Sequence, residues 1–522
     1  MVTQTAFGFQ YELAEQAGDV TALAGLPLFF QLGVVGGLRE SVESHVRARD
    51  GFQGWSDWEV VMSLVLLNIA GGDCVDDLER LEGDGGLRRV VEQLWTSGMS
   101  RTERREAWRR WRKERTRAFP SPSSAHRYLR CFHDEAEERR RAEVMRSTAA
   151  AREDGRSVKG KAFIPRRLEP LRGLGAVNAD LVGFVQKHRP QSIATLDMDA
   201  TLVPTTKSQA HFCYKKMRAY QPLNTWWAEQ GLVLHSEFRD GNVPAGFEQR
   251  RVLEEALRCL PEGVETVHMR SDTAGYQWEL LRYCEEGRNE RFGRIEFVVG
   301  VDITDAFKEA VRTTPAITWH DLGTSGQQWA EVAFVPNEMS RTNKGDYRFI
   351  ATREPVRQLE MFQDTPQQFS FPTLIDDDGE GPTTVYKLHA VVTNRMEQPA
   401  PDVIQWYRDR CGKSEEAHSI MKNDFAGGQL PSKYFGANAA WWALMILAFN
   451  LVVAMKHLAL DDDALMSKRM KALRLWLVAV PARIISHARK LTIRLGRSTA
   501  GFAELLVRAQ ERVLALAPGP AG

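Results

Sequence analysis

The chain has 522 residues, of which 43% are apolar, so it is long enough for several domains with large cores. Its formal net charge of +1 provides no bulk attraction for nucleic acids, and any DNA binding must depend on local patches of charge. The six cysteines form no Cys-x-x-Cys pair, which argues against a zinc ribbon or a disulfide framework and predicts reduced thiols in a cytoplasm. The first residues lack a basic segment followed by an apolar one, so no signal peptide is expected.

Residues 1–150 are predicted to be mostly helical. Apolar residues recur at helical spacing over residues 20–46 and 56–69, with glycine breaks at residues 36–37 and 71–72. Residues 101–117, RTERREAWRRWRKERTR, are predicted as a basic helix. Without further evidence, the simpler interpretation of this segment is a solvated helix whose tryptophans pack against the rest of the protein. The motifs described below favour contact with DNA phosphates instead, through residues such as Arg109 and Arg112.

Two short segments follow the basic helix. A Pro-Ser segment at residues 120–124 precedes a helix whose N-cap is predicted at Ser123 or Ser124, and a helix-turn-helix role stays open. Residues 155–162, GRSVKGKA, nearly match a phosphate-binding loop. However, Ala162 replaces the Ser or Thr that would hold magnesium, and no apolar strand precedes the segment. Residues 151–190 are therefore predicted to be a basic linker.

From residue 190 onward, strand and helix patterns alternate. The predicted strands cover residues 193–203, 232–237, 266–270 and 295–301, and the predicted helices cover residues 247–260 and 277–286. This order is that of an RNase H-like core. Residues 315–394 then read as short strands around an acidic loop at residues 376–381, whose spacing does not fit an EF-hand. The predicted fold class is therefore α/β, with an RNase H-like core (191–314 and 395–460) interrupted by a β-rich insertion (315–394).

The C-terminal part begins with a long apolar segment. Residues 439–455, AAWWALMILAFNLVVAM, are almost long enough to cross a membrane, but Asn450 interrupts them, and a buried core helix is predicted. Residues 461–522 are predicted to be helical and basic. Their positive charge serves either solubility or DNA contact and dimerisation, and the sequence does not separate these roles.

Three acidic motifs suggest a catalytic site. The segments LDMDAT (196–201) and HMRSDTAGY (268–276) each place an aspartate at the end of an apolar strand. Residues 405–425, QWYRDRCGKSEEAHSIMKNDF, are predicted as one helix with Glu415 and Lys422 on one stripe. Three carboxylates from two strands and a helix, Asp199, Asp272 and Glu415, suggest a two-metal site for phosphoryl transfer with Mg²⁺.

In this order, Asp-Ala-Thr, Asp-Thr-Ala-Gly-Tyr and Tyr-x-x-Arg…Glu-x6-Lys resemble the motifs of a bacterial insertion-sequence DDE transposase. The resemblance covers about residues 190–460 and is greatest to the insertion-sequence 1380 group, which is related to the insertion-sequence 4 enzymes with their Tyr-Arg-Glu-Lys signature. It implies metal ligation by the three carboxylates, with Mn²⁺ able to replace Mg²⁺. It also implies a homodimer that acts on terminal inverted repeats and target DNA, in the bacterial cytoplasm with the nucleoid and without a membrane. The residues implied to bind DNA are Tyr407, Arg408, Arg410 and Lys422.

The late motif departs from the signature, because four residues rather than three separate Arg410 from Glu415. On a regular helix Arg410 would point about 140° away from Glu415. Either a π-bulge at residues 411–412 absorbs the extra residue, or Arg408 takes the role. Asp197 remains an alternative to Asp199, and Glu416 remains an alternative to Glu415. Each acidic residue also has a purely structural alternative. Asp199 would cap a turn, Asp272 would cap a helix N-terminus, and Glu415 would form a surface ion pair with a lysine.

Paired tryptophans raise one further question. Trp226 and Trp227, or Trp441 and Trp442, would stack on an unpaired DNA base or, more commonly, pack in a core. The predicted function is a DNA transposase that cuts at transposon ends and transfers the freed strand. Two alternatives remain, which are a metal-dependent nuclease without strand transfer and a catalytically silent DNA-binding protein.

Overall fold

The computed structural model describes residues 19–49, 53–110, 115–153, 162–323, 326–336, 347–356, 372–376, 384–460, 463–487, 490–496 and 500–517. The predictions for Arg112, for most of the near phosphate-binding loop and for the acidic loop after Asp376 lie outside these residues.

The helices of the described residues are α1 (Leu26–Val35), α2 (Leu38–His45), α3 (Asp57–Ala70), α4 (Leu78–Gly83), α5 (Gly85–Trp95), α6 (Arg101–Arg109), α7 (Pro122–Arg130), α8 (Glu135–Glu153), α9 (Glu169–His188), α10 (Gln249–Arg258), α11 (Trp278–Glu285), α12 (Asp305–Arg312), α13 (Ala400–Arg408), α14 (Lys413–Ser419), α15 (Phe435–Leu458), α16 (Asp463–Met466), α17 (Met470–Leu473) and α18 (Ala500–Ala515). The strands are β1 (Val20–Thr21), β2 (Ile193–Ala200), β3 (Val203–Pro204), β4 (Ala219–Tyr220), β5 (Leu223–Trp227), β6 (Leu232–Glu237), β7 (Thr266–Ser271), β8 (Glu296–Gly300), β9 (His320–Asp321), β10 (Gln328–Glu331), β11 (Arg348–Pro355), β12 (Thr373–Asp376), β13 (Thr384–Thr393), β14 (Ala482–His487) and β15 (Lys490–Leu495).

The chain divides into two compact units. The first contains the described residues within Met1–Asp134, Arg167–Val177 and Asn423–Gly522, and the second those within Glu135–Arg166 and Asn178–Lys422. All the acidic and basic residues predicted for the catalytic site, from Asp199 to Lys422, belong to the second unit.

The first unit is built around α15, which packs against α1, α3 and α7. By length and apolarity α15 could cross a membrane, but 89% of its most apolar window is buried inside the protein. A helix that is apolar all round is expected in a core, because no side of it gains from contact with water. The predicted core helix at residues 439–455 is therefore present and extends a turn or so further at its N-terminal end.

The N-terminal helices follow their sequence signals closely. Ser56 and Glu59 form a capping box at the start of α3, and Gly71 ends it with a positive φ of 94°. The helix predicted after the Pro-Ser segment begins two residues early, with Ser121 as N-cap, because Pro122 occupies the first helical position that suits it. The basic helix is shorter than predicted, since α6 ends at Arg109.

The prediction of an entirely helical C-terminal region is wrong at residues 482–487 and 490–495. There β14 and β15 pair in antiparallel orientation, and β1 extends them to a three-stranded sheet. In β14 buried and exposed side chains alternate, with Ile484 buried beside the exposed Arg483. A period of two and β-branched residues favour a strand over a helix.

The second unit contains a ten-stranded mixed sheet whose main path runs in the order β6-β5-β2-β7-β8-β13-β11-β10-β9, with β12 paired to β13. β2 is parallel to β7, and β7 is parallel to β8, whereas β5 and β6 are antiparallel to their neighbours. β5 was not among the predicted strands, and it is buried along its whole length. The strand predicted at residues 193–203 is divided into β2 and β3.

The β-rich block predicted at residues 315–394 continues this same sheet. β13 pairs with β8 through Val391–Gly300, Val392–Val299 and Thr393–Val298. β11, β10 and β9 then add in antiparallel order. Without these extra strands β8 would be an edge strand with unpaired backbone groups. β13 pairs with those groups, and the sheet continues beyond β8.

The prediction of one continuous helix at residues 405–425 is wrong. α13 ends at Arg408, α14 begins at Lys413, and a π-helical turn follows at Ile420–Asp424. Gly412 has φ of 80°, a conformation that glycine adopts without the strain felt by other residues. The glycine therefore breaks the helix in front of the two predicted acidic ligands.

Candidate active site

Two aspartates lie at adjacent ends of the central parallel strands. Met198 of β2 is in register with Ser271 of β7, so Asp199 and Asp272 are the next residues on neighbouring parallel strands. Carboxyl ends of parallel strands meet at one edge of a sheet, which is where ligands of open α/β sheets commonly bind. The two carboxylates are near enough for the charge of Asp272 to raise the pKa of Asp199.

Asp199 is the most strongly perturbed of the predicted ligands. Burial, and after it the negative charge of Asp272, raises the pKa of its carboxyl to about 7. Arg410 acts in the opposite direction, with its Nη1 3.6 Å from Asp199 Oδ2. A buried carboxylate that is repelled by another carboxylate is the kind of group that a bound cation stabilises.

Asp272 has a structural contact as well as its predicted role. Its Oδ1 accepts a hydrogen bond of 3.0 Å from the Ala274 amide and so caps the 3-10 turn Thr273–Gly275. The capping alternative considered from the sequence is therefore present in the structure. It involves one of the two carboxylate oxygens, so capping and metal ligation are compatible.

Glu415 lies near Asp199 but is turned towards its own helix. The side chain is exposed, and its Oε2 accepts a hydrogen bond of 2.6 Å from the Gly412 amide at the start of α14. Among the residues described, no three His, Cys, Asp or Glu side chains come together closely enough to hold a metal ion. Giving up a capping bond costs about 0.5–2 kcal/mol, so rotation of Glu415 towards the aspartates is energetically modest. The neighbouring Glu416 is also exposed.

Arg410 faces the carboxylates because the helix is broken in front of α14. Its guanidinium is buried beside the Tyr407 ring, 5.5 Å from the ring centroid, in addition to its contact with Asp199. Burial alone lowers the pKa of the Arg410 guanidinium, but Tyr407 and Asp199 raise it by a larger amount. The pKa is therefore raised overall, and the group stays charged. On a regular helix Arg410 would point away from Glu415, but the break at residues 409–412 absorbs the extra residue, close to where a π-bulge was one alternative, and Arg410 faces Asp199. Arg408 remains partly buried at the end of α13.

Lys422 connects the late helix to the first acidic motif. Its ammonium donates to Thr201 Oγ1 at 3.0 Å and to the Leu202 carbonyl at 3.3 Å. Burial, and after it the charge of Lys215, lowers the pKa of Lys422. These two hydrogen bonds hold the ammonium next to the end of β2.

His418 is a site residue that the sequence analysis missed. Ser236 Oγ donates to Asn224 Oδ1 at 2.7 Å, which leaves the Asn224 amide group to face His418 Nε2 at 3.2 Å. Nε2 therefore accepts, and the proton lies on Nδ1, 3.8 Å from Asp199 Oδ2. Burial, then Lys422 and Arg410, lowers the pKa of His418 to about 3, so the ring is neutral and forms no ion pair with Asp199.

The spacing of His418 was available as a signal. It follows Glu415 by three residues and precedes Lys422 by four, which places all three on one helical face. Asn224 gave no such signal, because only the pairing of β5 with β2 brings it opposite Asp199.

Asp197 forms a buried ion pair. Arg270 Nε and Nη2 donate to its two oxygens at 2.6 and 2.8 Å, and Arg270 Nη1 donates to the Trp406 carbonyl at 2.6 Å. Burial raises the pKa of Asp197, although Arg270 opposes the change. Because the guanidinium occupies both carboxylate oxygens, this geometry favours Asp199 over Asp197 as a ligand.

The remaining predicted residues lie elsewhere. Trp226 and Trp227 are 6% and 0% exposed in β5, which fits a core role and leaves no open ring face for a base. Trp441 and Trp442 are buried in α15 of the first unit. Arg109 is exposed at the end of α6, also in the first unit, beside Trp108, which is 71% exposed.

A close approach at Gly300 supplies a prediction. A Cβ on Gly300 would lie 2.8 Å from the Tyr407 hydroxyl and 3.1 Å from the Thr273 amide. We expect Gly300→Ala to reduce catalytic activity by about 10–100-fold, because a displacement of about 1 Å at a reacting site has effects of this size. Gly183→Ala in α9 is the matched control, since the nearest atom to its new Cβ is 3.9 Å away. Equal activity of both variants would show that Tyr407 and the Asp272 turn need no close packing on β8.

The site therefore combines two aspartates at adjacent strand ends with Arg410, Glu415 and Lys422 from the interrupted helical segment at residues 405–425, an arrangement typical of an enzyme that acts on phosphodiesters. The sequence matches the family Transposase DDE domain group 1 over residues 4–518, and the chain belongs to this family of transposases. No curated protein matches the sequence. The structure of the piggyBac transposase synaptic complex with hairpin DNA is similar over 97% of this chain and 85% of that chain, at 10% identity and a TM-score of 0.40, which is too low to support an argument.

Proposed function

We propose that this transposase binds the terminal inverted repeats of its element, hydrolyses a phosphodiester at each end and uses the freed 3′-hydroxyl to attack target DNA. One observation carries the proposal. Asp199 and Asp272, at adjacent strand ends, share an electrostatic environment with Arg410 and Glu415, in a chain that belongs to the family Transposase DDE domain group 1.

The finer classification rests on strand order and on the late motif. The order β6-β5-β2-β7-β8, with three antiparallel strands followed by two parallel ones, supports an RNase H-like core. The residues Tyr407, Arg410, Glu415 and Lys422 support membership of the bacterial insertion-sequence 1380 group. We place the protein in the bacterial cytoplasm with the nucleoid. It acts there as a homodimer, because two transposon ends must be paired.

The proposed cofactor is Mg²⁺, for which Mn²⁺ can substitute. Asp199 and Asp272 would hold a hard divalent cation through their oxygen donors, which relieves their mutual repulsion, and Glu415 would be the third ligand if it released the Gly412 amide. When bound, such ions activate the attacking oxygen and stabilise the leaving oxygen.

The protein's own residues position these groups. The neutral His418, oriented by Asn224 and Ser236, directs its Nδ1 proton towards Asp199. Arg410 places a permanent positive charge beside the same carboxylate. Lys422 holds Thr201 and Leu202 next to the end of β2 and so presents its positive charge at the edge where a DNA phosphate would lie.

The experiment that tests the proposal is cleavage of labelled duplexes carrying the ends of the protein's own element, in the presence of Mg²⁺. We expect Asp272→Asn to abolish cutting while it retains DNA binding, because asparagine keeps a capping oxygen for the Ala274 amide but removes the charge. Asp321→Asn is the matched control, since Asp321 is an exposed aspartate in β9, at the far end of the sheet from β2 and β7 in strand order. We expect this control to cut like the wild type.

Equal cutting by the wild type and Asp272→Asn would disprove the role of Asp272. If the wild type fails to cut its own ends, the result favours the alternative of a catalytically silent DNA-binding protein. Joining of pre-cut 3′-hydroxyl ends to a plasmid separates a transposase from a nuclease, because only strand transfer produces the joined product.

A further inference from the structure

The connection between β3 and β4 forms a hairpin, which we call the finger and define as residues 205–218. Thr205 and Arg218 are hydrogen-bonded at its base, and Phe212 and Arg218 form a β-bridge further along. At the tip, the Cys213 amide donates to the Met217 carbonyl and the Lys216 amide to the Cys213 carbonyl. The finger is therefore an ordered element with two distinct faces.

One face of the finger packs against the rest of the second unit, to which the finger belongs. Ala210, His211 and Cys213 are buried. Arg141 donates to the Gln209 carbonyl and also binds Asp240 through Nε at 2.5 Å. Arg218 Nη1 donates to the Ser208 and Ala210 carbonyls at 2.8 and 2.6 Å. These contacts fix which side chains point outward.

The outward face carries aromatic and basic groups. Phe212 is 57% exposed at the β-bridge, and Tyr214 is 73% exposed two residues later, in the turn at the tip. Lys215 and Lys216 are exposed beside them. The finger sequence, TTKSQAHFCYKKMR, has four Lys or Arg residues and no acidic residue, in a chain whose net charge is only +1. Large exposed aromatic rings cost free energy in water, so a pair of them among cations indicates a binding surface.

The finger is close to the carboxylate site. Lys422 binds Thr201 and Leu202, the two residues directly before β3. Lys215 is near enough to Lys422 to lower the pKa of its ammonium. A strand that reaches Asp199 and Lys422 would therefore lie beside the finger.

We propose that the finger binds an unpaired stretch of DNA next to the carboxylate site, with bases stacked on Phe212 and Tyr214 and phosphates on Lys215 and Lys216. This inference rests on the proposed cutting of DNA ends. Aromatic rings stack on bases of any sequence, whereas the base faces of a duplex are already covered by their neighbours. The surface thus selects unpaired DNA over duplex DNA.

The test measures binding of the full chain, without metal, to a labelled single-stranded oligonucleotide of mixed sequence and to the corresponding duplex. We expect Phe212→Ala and Tyr214→Ala each to weaken single-strand binding by about 10-fold and to leave duplex binding unchanged. We expect Lys215→Gln to reduce the slope of log affinity against log salt by about 0.7 for the single strand. Ile317→Ala, which removes a side chain that is 89% exposed, and Arg258→Gln at the end of α10 are the matched controls.

Photocrosslinking locates the contact directly. A single strand that carries 5-iododeoxyuridine should crosslink to Phe212 or Tyr214, as identified by mass spectrometry. Wild-type affinity in both aromatic variants, an equal loss for duplex and single strand, or crosslinks only outside the finger would overturn the inference. These measurements need no cutting, so they can disprove the finger inference while metal-dependent cleavage by the wild type is still observed. A failure of the proposed function would instead appear in the cleavage experiment.

Discussion

Asp199→Asn is expected to reduce Mg²⁺-dependent cleavage by at least about 10³-fold, because a metal supplies several kcal/mol of charge stabilisation and each 1.36 kcal/mol is a tenfold change in rate. The same variant is expected to fold at least as stably as the wild type without metal. Asparagine removes a charge that is buried and repelled by Asp272. Cleavage rates and thermal unfolding of the metal-free protein measure the two effects. Asp321→Asn, in the exposed strand β9, is the control for loss of an aspartate charge.

The pH dependence gives this prediction a definite sign. The pKa of Asp199 is raised from 3.8 to about 7, so the folded state holds this proton more tightly than the unfolded state does. The contribution of Asp199 to stability is therefore lost as pH rises from about 4 to about 7 in the metal-free protein. Asp199→Asn should remove that part of the slope. A variant that keeps full cleavage activity, or that unfolds more readily than the wild type at pH 8, would contradict the assignment of Asp199.

Asp197→Ala is expected to have its main effect on folding. It leaves the Arg270 guanidinium buried without its carboxylate, which typically costs about 3–5 kcal/mol in the free energy of unfolding. Replacing both partners together, as in Asp197→Leu with Arg270→Met, should restore much of the loss, because no unpaired buried charge then remains. Chemical denaturation of each variant, followed by a probe of the second unit, measures these changes.

A surface ion pair provides the comparison for Asp197. Glu309 binds Arg312 on α12, where the two side chains are 64% and 48% exposed, and Glu309→Ala should change the free energy of unfolding by about 1 kcal/mol or less.

One outcome for an Asp197 variant would reverse the roles of Asp197 and Asp199. If Asp197→Asn folds normally and loses all metal-dependent cutting, then Asp197 rather than Asp199 is the ligand.

The sequence was sufficient for features that depend on near neighbours. The apolar spacing over residues 56–69 predicts a helix, present as α3, and the apolar run at residues 439–455 predicts a buried helix, because each signal is complete within one segment. Asp199 and Asp272 could be proposed in the same way, since each follows an apolar strand. That they lie at adjacent strand ends follows from the parallel register of β2 and β7. Their exact role as ligands remains a prediction.

Only the tertiary structure decided which groups face each other across the sheet. The pairing of β2 with β7 places Asp197 next to Arg270, and the pairing of β2 with β5 places Asn224 opposite Asp199. The members of each pair are far apart in the chain. A positive φ at Gly412 accompanies the break in front of α14, and Arg410 then faces Asp199, whereas on a regular helix it would point away from Glu415. The short-range pattern thus determined residue types and element positions. Long-range strand pairing, and a backbone conformation that depends on packing, determined which charges share one site.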